Sequence, residues 1–518
     1  MKASLIAVAM IAVFVAVIPF NGMAQAKKPV RMEIPVKDDA EIYKVVPLED
    51  NGVALIFLSS ENVEDGKIIW VASMLDNKLA ETARFNFKLP RGFVLEEALY
   101  RDNRLYAFFY TNKSSVDSNF YMVDFNLKDS LMYEMQYPAP ERSGLSHFAA
   151  GKNYVIAGLN TRDDKSMILH YNTNTHKIEL LSPGLSGKTV IESLGINELS
   201  GGFTVIMRTT QSVRKRSYYY VKFNNQGQPF HTHAFKFQDL LINSAFMHEI
   251  DSKRDIIIGS YGTSSRTRNI DGREMIGVSS TGFFSLVVSE DGEEIVNTYD
   301  FSDFDKFYRY LRRPAEVAPR RALMRRDRSA TREISADHNL LSHKIFKQNG
   351  EYIFMAEAYY PEYRTVTTMV YDYYGRPYPS TYSVFEGYRY LTTFIAGFDD
   401  QGQLKWNNDL ELSEGLTQTL NEKVTAYPVD STNLMLSYVD DDRIAYKMIS
   451  KGQNLSTISY VKVEPLHRHD KVQKESSSYI MPWYNDYFLV SGYQTIRNSY
   501  SSDKAKNIFY LSKMAFRL

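Results

Sequence analysis

Four short constellations in this sequence carry residue types that do chemistry. His231-Thr232-His233 puts two imidazoles on one face of a strand, where side chains repeat every second residue and two of them could share a metal. A third ligand would be His248 or Glu249, but no spacing holds either beside the pair, and a solvent-facing pair is the favoured reading. His467-Arg468-His469-Asp470 has the same form inside a charged loop. Asp440-Asp441-Asp442 offers three carboxylates, yet calcium loops place their ligands at alternate positions around a turning glycine, so three in a row read as a solvated turn. Gly187-Lys188-Thr189 matches the end of a phosphate loop. The full motif needs a glycine five positions before Gly187, where Ser182 stands, and a helix afterwards, whereas Val190 and Ile191 continue a strand. With 61 acids in the chain, no carboxylate pair stands out for glycoside hydrolysis. No catalytic residue, cofactor or metal is expected, and the chain reads as a non-enzyme.

Charge is the least ordinary feature. The chain holds 61 basic and 61 acidic residues. Between Arg309 and Arg332, however, stand nine arginines, no lysine and only Glu316 and Asp327 as acids, a local charge of +7. The pairs Arg312-Arg313, Arg320-Arg321 and Arg325-Arg326 present rigid forked donors suited to carboxylates or phosphates. A solvated insertion is the plain alternative. Aromatic content is 14%, with 37 tyrosines. The runs Tyr359-Tyr360, Tyr371–Tyr374 and Tyr388–Tyr390 could form a broad, reversible polar-aromatic contact or simply pack between strands.

The elements that position these residues repeat. Polar turns at Asn51-Gly52, Asp102-Asn103, Gly151–Asn153, Ser200–Gly202 and Asp251-Ser252 each precede a short apolar run, about 50 residues apart. Echoes follow at Asn349-Gly350, Asp430-Ser431 and Asn485-Asp486. A second turn set falls between the first, at Asp76-Asn77, Asn126–Asp129, Asn172–Thr175 and Asn224–Gly227, and again at Glu290–Gly292 and Asp399–Gly402. Two hairpins per period make about four strands, which predicts an all-β propeller of seven or eight four-stranded blades. Spacing opens between Asp251 and Asn349, placing an Arg-rich insertion at 303–340, partly helical or disordered, with Phe304–Arg313 and Pro319–Glu333 as its helix candidates. Val30–Val36 and Asn507–Arg517 read as strands that would close the ring in a shared last blade.

The first 26 residues read as a cleaved secretory signal: Lys2, an apolar stretch Leu5–Phe20, and Ala24-Gln25-Ala26 as the cleavage site. The propeller then spans 27–518. The chain has no cysteine, so disulfides, thiol catalysis and a lipid-bearing N-terminal cysteine are excluded. An exported chain also argues against nucleic acid as the partner of the arginines.

Three runs in the last third carry a resemblance: EYIFMAEAYYPEY at Glu351–Tyr363, FEGYRYLTTFIAGFDDQGQLKWNNDLEL at Phe385–Leu412, and WYNDYFLVSGYQTIRN at Trp483–Asn498. From Asn349 to Leu518 the chain resembles exported proteins of Bacteroidota in the family of the periplasmic Plug subunit of the type IX secretion translocon. It departs from that form at Leu391-Thr392-Thr393, where a histidine-containing run is expected. The resemblance implies a subunit in the periplasm, at the inner side of the outer membrane, that binds the translocon barrel and seals its opening. It implies no catalytic residue and no small-molecule substrate. Arg312, Arg313, Arg320, Arg321, Arg325, Arg326, Tyr388 and Tyr390 are the expected partner contacts. An exported glycan-binding or glycan-active propeller is the alternative.

Overall fold

Each turn of the first set joins the innermost strand of an antiparallel sheet to its second strand. Asp102 and Asn103 adopt φ of 52° and 62°, and Asn349 and Gly350 adopt 48° and 80°. Such left-handed pairs make the mirror-image turns that match strand twist, and Asn, Asp and Gly tolerate them best. In the computed structural model, eight antiparallel sheets form an eight-bladed β-propeller, six of them four-stranded. Their strands lie within 43–90, 93–138, 143–181, 188–235, 241–300, 339–417, 425–462 and 470–515, blades 1 to 8 in chain order. Blades 6 and 7 add short extra strands to make six and five. The structure describes residues 30–516 except 38–42, 63–66, 112–118, 139–142, 162–164, 186, 213–214, 236–240, 263–264, 271–272, 279, 302–303, 305–338, 414 and 499–504. Among these, Glu49–Asn51 forms a 3-10 turn, there is no α-helix, and no helix is long and apolar enough to cross a membrane.

Both turn sets lie on one side of the disc, because every strand reverses there. The second set joins third strands to outer strands, as Asn224–Gly227 does between Lys215–Phe223 and Pro229–Phe235. The connections on the opposite side vary widely. Blade 5 adds a hairpin there, Ser265–Ile270 against Arg273–Val278. Blade 6 extends its two middle strands to Glu351–Tyr371 and Pro377–Phe398, 21 and 22 residues long. Neither extension is announced by the repeat. The expected signal segment 1–26 and both helix candidates beyond Phe304 lie outside the described residues.

Apolar side chains on blade faces meet in eight clusters, one between each pair of neighbours. Ala54 and Phe87 of blade 1 pack with Leu105 and Phe125 of blade 2. The series continues round the ring until Val53 and Leu55 of blade 1 meet Leu489, Phe509 and Leu511 of blade 8. Val30–Pro35 completes blade 8 as its outer strand, with Val30 opposite Lys513 and Pro35 opposite Ile508. Polar contacts reinforce that closure. Arg31, 7% exposed, donates to Gln494 Oε1 at 2.7 Å and lies 4.3 Å over the Tyr510 ring. Tyr510 and Gln494 both donate to Glu475, at 2.6 and 2.8 Å, so one network crosses all four strands. Trp483 Nε1 donates to the Gly52 carbonyl at 2.7 Å and ties blade 8 to blade 1.

Candidate interaction surface

Within the blade, the middle strands of blade 6 are buried: Ile353–Ala358 and Leu391–Phe398 feed the clusters shared with blades 5 and 7. Beyond Tyr359 and Tyr390 the same strands leave the disc as a two-stranded ribbon, paired from Tyr360 opposite Arg389 to Tyr371 opposite Pro377. At about 3.3 Å per residue it reaches roughly 35–40 Å past the rim. Asp372 closes the tip by accepting the backbone N–H groups of Tyr374 and Arg376 on one carboxylate oxygen, at 2.9 and 2.8 Å.

The root is tightly held. Arg389 Nε donates to Glu362 Oε2 at 2.6 Å, and Arg364 Nε approaches Glu386 Oε1 at 2.9 Å. Register shifts at Ala358/Tyr359 and Glu362/Tyr363 mark bulges, which bend and twist a strand pair. Gly387 adopts φ of 147°, and a Cβ there would lie 2.6 Å from the Thr417 carbonyl, whose strand Leu416–Thr417 pairs beside it. Past these last charged rungs, residues 365–385 contain only Asp372 and Arg376 as charges. Tyr373 is 99% exposed, Tyr374 80%, Tyr371 67% and Met369 60%.

The predicted contacts divide accordingly. Tyr388 is half-buried at the root, its ring edge-on to Tyr359 at 5.7 Å and to Phe385 at 5.1 Å. Tyr390 is a core residue, 1% exposed, donating to the Asn421 carbonyl at 2.6 Å, and burial raises its pKa. Its place inside the blade 6–7 cluster takes it off any contact surface. Arg312, Arg313, Arg320, Arg321, Arg325 and Arg326 lie outside the described residues. The flanks of that stretch are fixed. Phe301 and Phe304 are buried between blades 5 and 6, and Asn339 pairs with Tyr359 at the ribbon's root. The exposed tyrosines of the tip, which the sequence offered only as one aromatic run among several, are the residues that stand out in space.

The innermost strands of blades 2 to 6 line a central channel holding a cavity of about 1010 Å³. Three of its four acids are engaged. Glu97 pairs with Lys44 at 2.5 Å, Glu198 takes both prongs of Arg101 at 2.8 Å, and Glu249 accepts from Leu199 N and Ser200 Oγ at 2.8 and 2.9 Å. Burial, with Glu97 beside it, raises the pKa of Glu96. His147 is driven the other way, to about 4, by burial and by Lys344.

The remaining constellations do not converge. His231 and His233 share a face, 6.4 Å apart, and His233 Nε2 meets Glu294 Oε1 at 2.5 Å, while His248 bonds the Glu249 carbonyl and faces Tyr352. No metal-holding group of His, Asp or Glu occurs among the described residues. Asp440 pairs with Arg443 across a tight turn, and Asp442 with Lys462. Gly187 precedes the strand Lys188–Ile196, not a helix.

No protein-family model matches this chain, and neither does any curated protein. Solved structures do. It is similar to the β-propeller domain of the trilobed protease of Pyrococcus furiosus, at 9% identity over 80% of this chain and 98% of that one, with a TM-score of 0.35. Dihydro-heme d1 dehydrogenase matches at 11% identity over 94% and 78%, with a TM-score of 0.40. An ulvan lyase matches at 10% over 79% and 90%, with a TM-score of 0.39. Likeness this distant carries nothing about activity.

Proposed function

We propose that this chain is a non-enzymatic subunit that binds and closes the periplasmic opening of the type IX protein translocon at the inner side of the outer membrane. The resemblance of residues 349–518 to the plug family names the partner. The observation that carries the reading is the tyrosine-bearing ribbon standing off one side of the disc, whose only charges past its root are Asp372 and Arg376. A two-stranded ribbon alone in water is marginal, and its exposed aromatics suit a protein contact.

Two further features support it. Strands spaced by roughly 4.8 Å make each four-stranded blade about 15–20 Å deep, so the closed ring spans about 50 Å, a rigid lid on the scale of a wide pore. The exposed aromatics are also spread along the ribbon and do not converge with acids in one pocket, which favours a broad contact over a sugar-stacking groove.

The test is capture of detergent-solubilised outer membrane by tagged mature protein, with mass-spectrometric identification of the barrel. Capture should weaken as salt rises, and weaken further when Arg312, Arg313, Arg320, Arg321, Arg325 and Arg326 are replaced by alanine with the melt unchanged. No barrel at low salt, with binding on a glycan array, would transfer the protein to the glycan-binding class.

A further inference from the structure

Sheet edges in soluble proteins are guarded by lysine, proline, bulges or a covering segment, because unpaired N–H and C=O groups recruit other strands. The two edges of the ribbon differ in this respect. Residues 377–387 carry Pro377 and Pro379, whereas residues 365–371, Thr-Val-Thr-Thr-Met-Val-Tyr, carry no proline, no charge and no bulge. Among the described residues, no strand covers the first strand beyond Tyr359 or the second between Pro377 and Gly387.

The prolines also fix which groups point outward. Proline has no N–H to give, so Pro377 and Pro379 stand where the ladder requires none, in pairs whose N–H and C=O groups face away from the neighbouring strand. Their opposites are Tyr371 and Met369, and by alternation Thr367 and Thr365 share that orientation. Thr367 and Thr381 Oγ atoms meet at 3.2 Å, as the closer side chains of such pairs allow. Four outward donors thus recur at every second residue along an unguarded edge.

We infer that this edge, Thr365 to Tyr371, is a strand-addition site that takes up an extended, uncharged segment of the partner protein. The inference rests on the proposed function and specifies how the contact is made. An uncharged edge between β-branched residues favours a segment of like chemistry, since a charge brought against it would lose water without gaining a partner. The ribbon's length lets that segment lie well inside an opening that the disc itself only covers.

Hydrogen exchange on the free protein and on its complex with the captured barrel tests this directly. Thr365, Thr367, Met369 and Tyr371 amides should exchange freely alone and become at least tenfold slower in the complex. Met369→Pro, which repeats on this strand what Pro379 does opposite, should lower barrel capture at least tenfold while leaving the melting temperature in place. Should that variant disturb the ribbon, the exchange measurement on the unaltered chain still decides. Capture within twofold of wild type and unprotected 365–371 amides would overturn the edge and leave the plug reading standing. If wild type captures no barrel, both fall. If it sediments as a dimer that Met369→Pro dissolves, a second copy occupies the edge and the inference is wrong. Flotation with outer-membrane lipid vesicles in place of barrel capture would likewise replace it with a lipid contact.

Discussion

Two histidines, His147 half-buried and His343 buried, show how finely the fold tunes single residues, and they pull in opposite directions with pH. His147 lines the channel with its Nδ1 unpartnered among the described residues, and burial beside Lys344 lowers its pKa to about 4. A group depressed by folding contributes fully above its unfolded value, near 6.5, and loses that contribution as pH falls towards 4. The burial of His343 would by itself depress it. A 2.8 Å bond to the carboxylate of Glu357, with Glu422 beyond, outweighs burial and raises it. Its contribution is present below about 6.5 and is lost as pH climbs through the raised value. His147→Leu should therefore flatten the acid side of the stability profile by up to roughly 3 kcal/mol, and His343→Gln the alkaline side. Urea midpoints from pH 4 to 8.5 would show the two slopes disappear separately; parallel curves for all three proteins would refute the assignment.

The strands show what the sequence could and could not reveal. The turn side was legible, because six of the eight first-set turns contain a positive φ, which Asn, Asp and Gly meet most readily, and at the other two Asp251 and Asp430 accept the backbone N–H groups two and three residues on. The other side was not. Strands that run past the rim use the same Thr, Val and Tyr as strands inside it, since β-propensity reports a pleated surface and not what covers it. Hence Tyr388 and Tyr390, two residues apart on one strand, looked alike, although the second is sealed in the core. The closing strand was legible as a strand, but its fastening was not. Arg31 lost to alanine should cost about 3 kcal/mol, because Glu475, Gln494 and Tyr510 keep a network built round its charge. Arg31→Lys should recover only part of this, lacking the fork. A melt of Arg31→Ala indistinguishable from wild type would mean that the backbone ladder holds the strand unaided.

At the scale of the molecule, stability is a ring of eight like interfaces, and a ring has no weakest end until it is cut. Ending the chain before Lys506 removes the third strand of blade 8 and leaves Val30–Pro35 without its neighbour. Such a product should lose its single cooperative melt, and limited proteolysis should release fragments from both ends at protease levels that spare the full chain. Equal resistance would show that seven blades stand without the eighth. The same closure sets an order in time. A chain made from its N-terminus holds its first strand idle through seven finished blades, because the partner of that strand is the last to be made. Every product that stops before blade 8 is a gapped ring with Val53 and Leu55 uncovered. The propeller thereby measures its own completeness, and only a copy read through Lys506–Ala515 gives its first strand a partner.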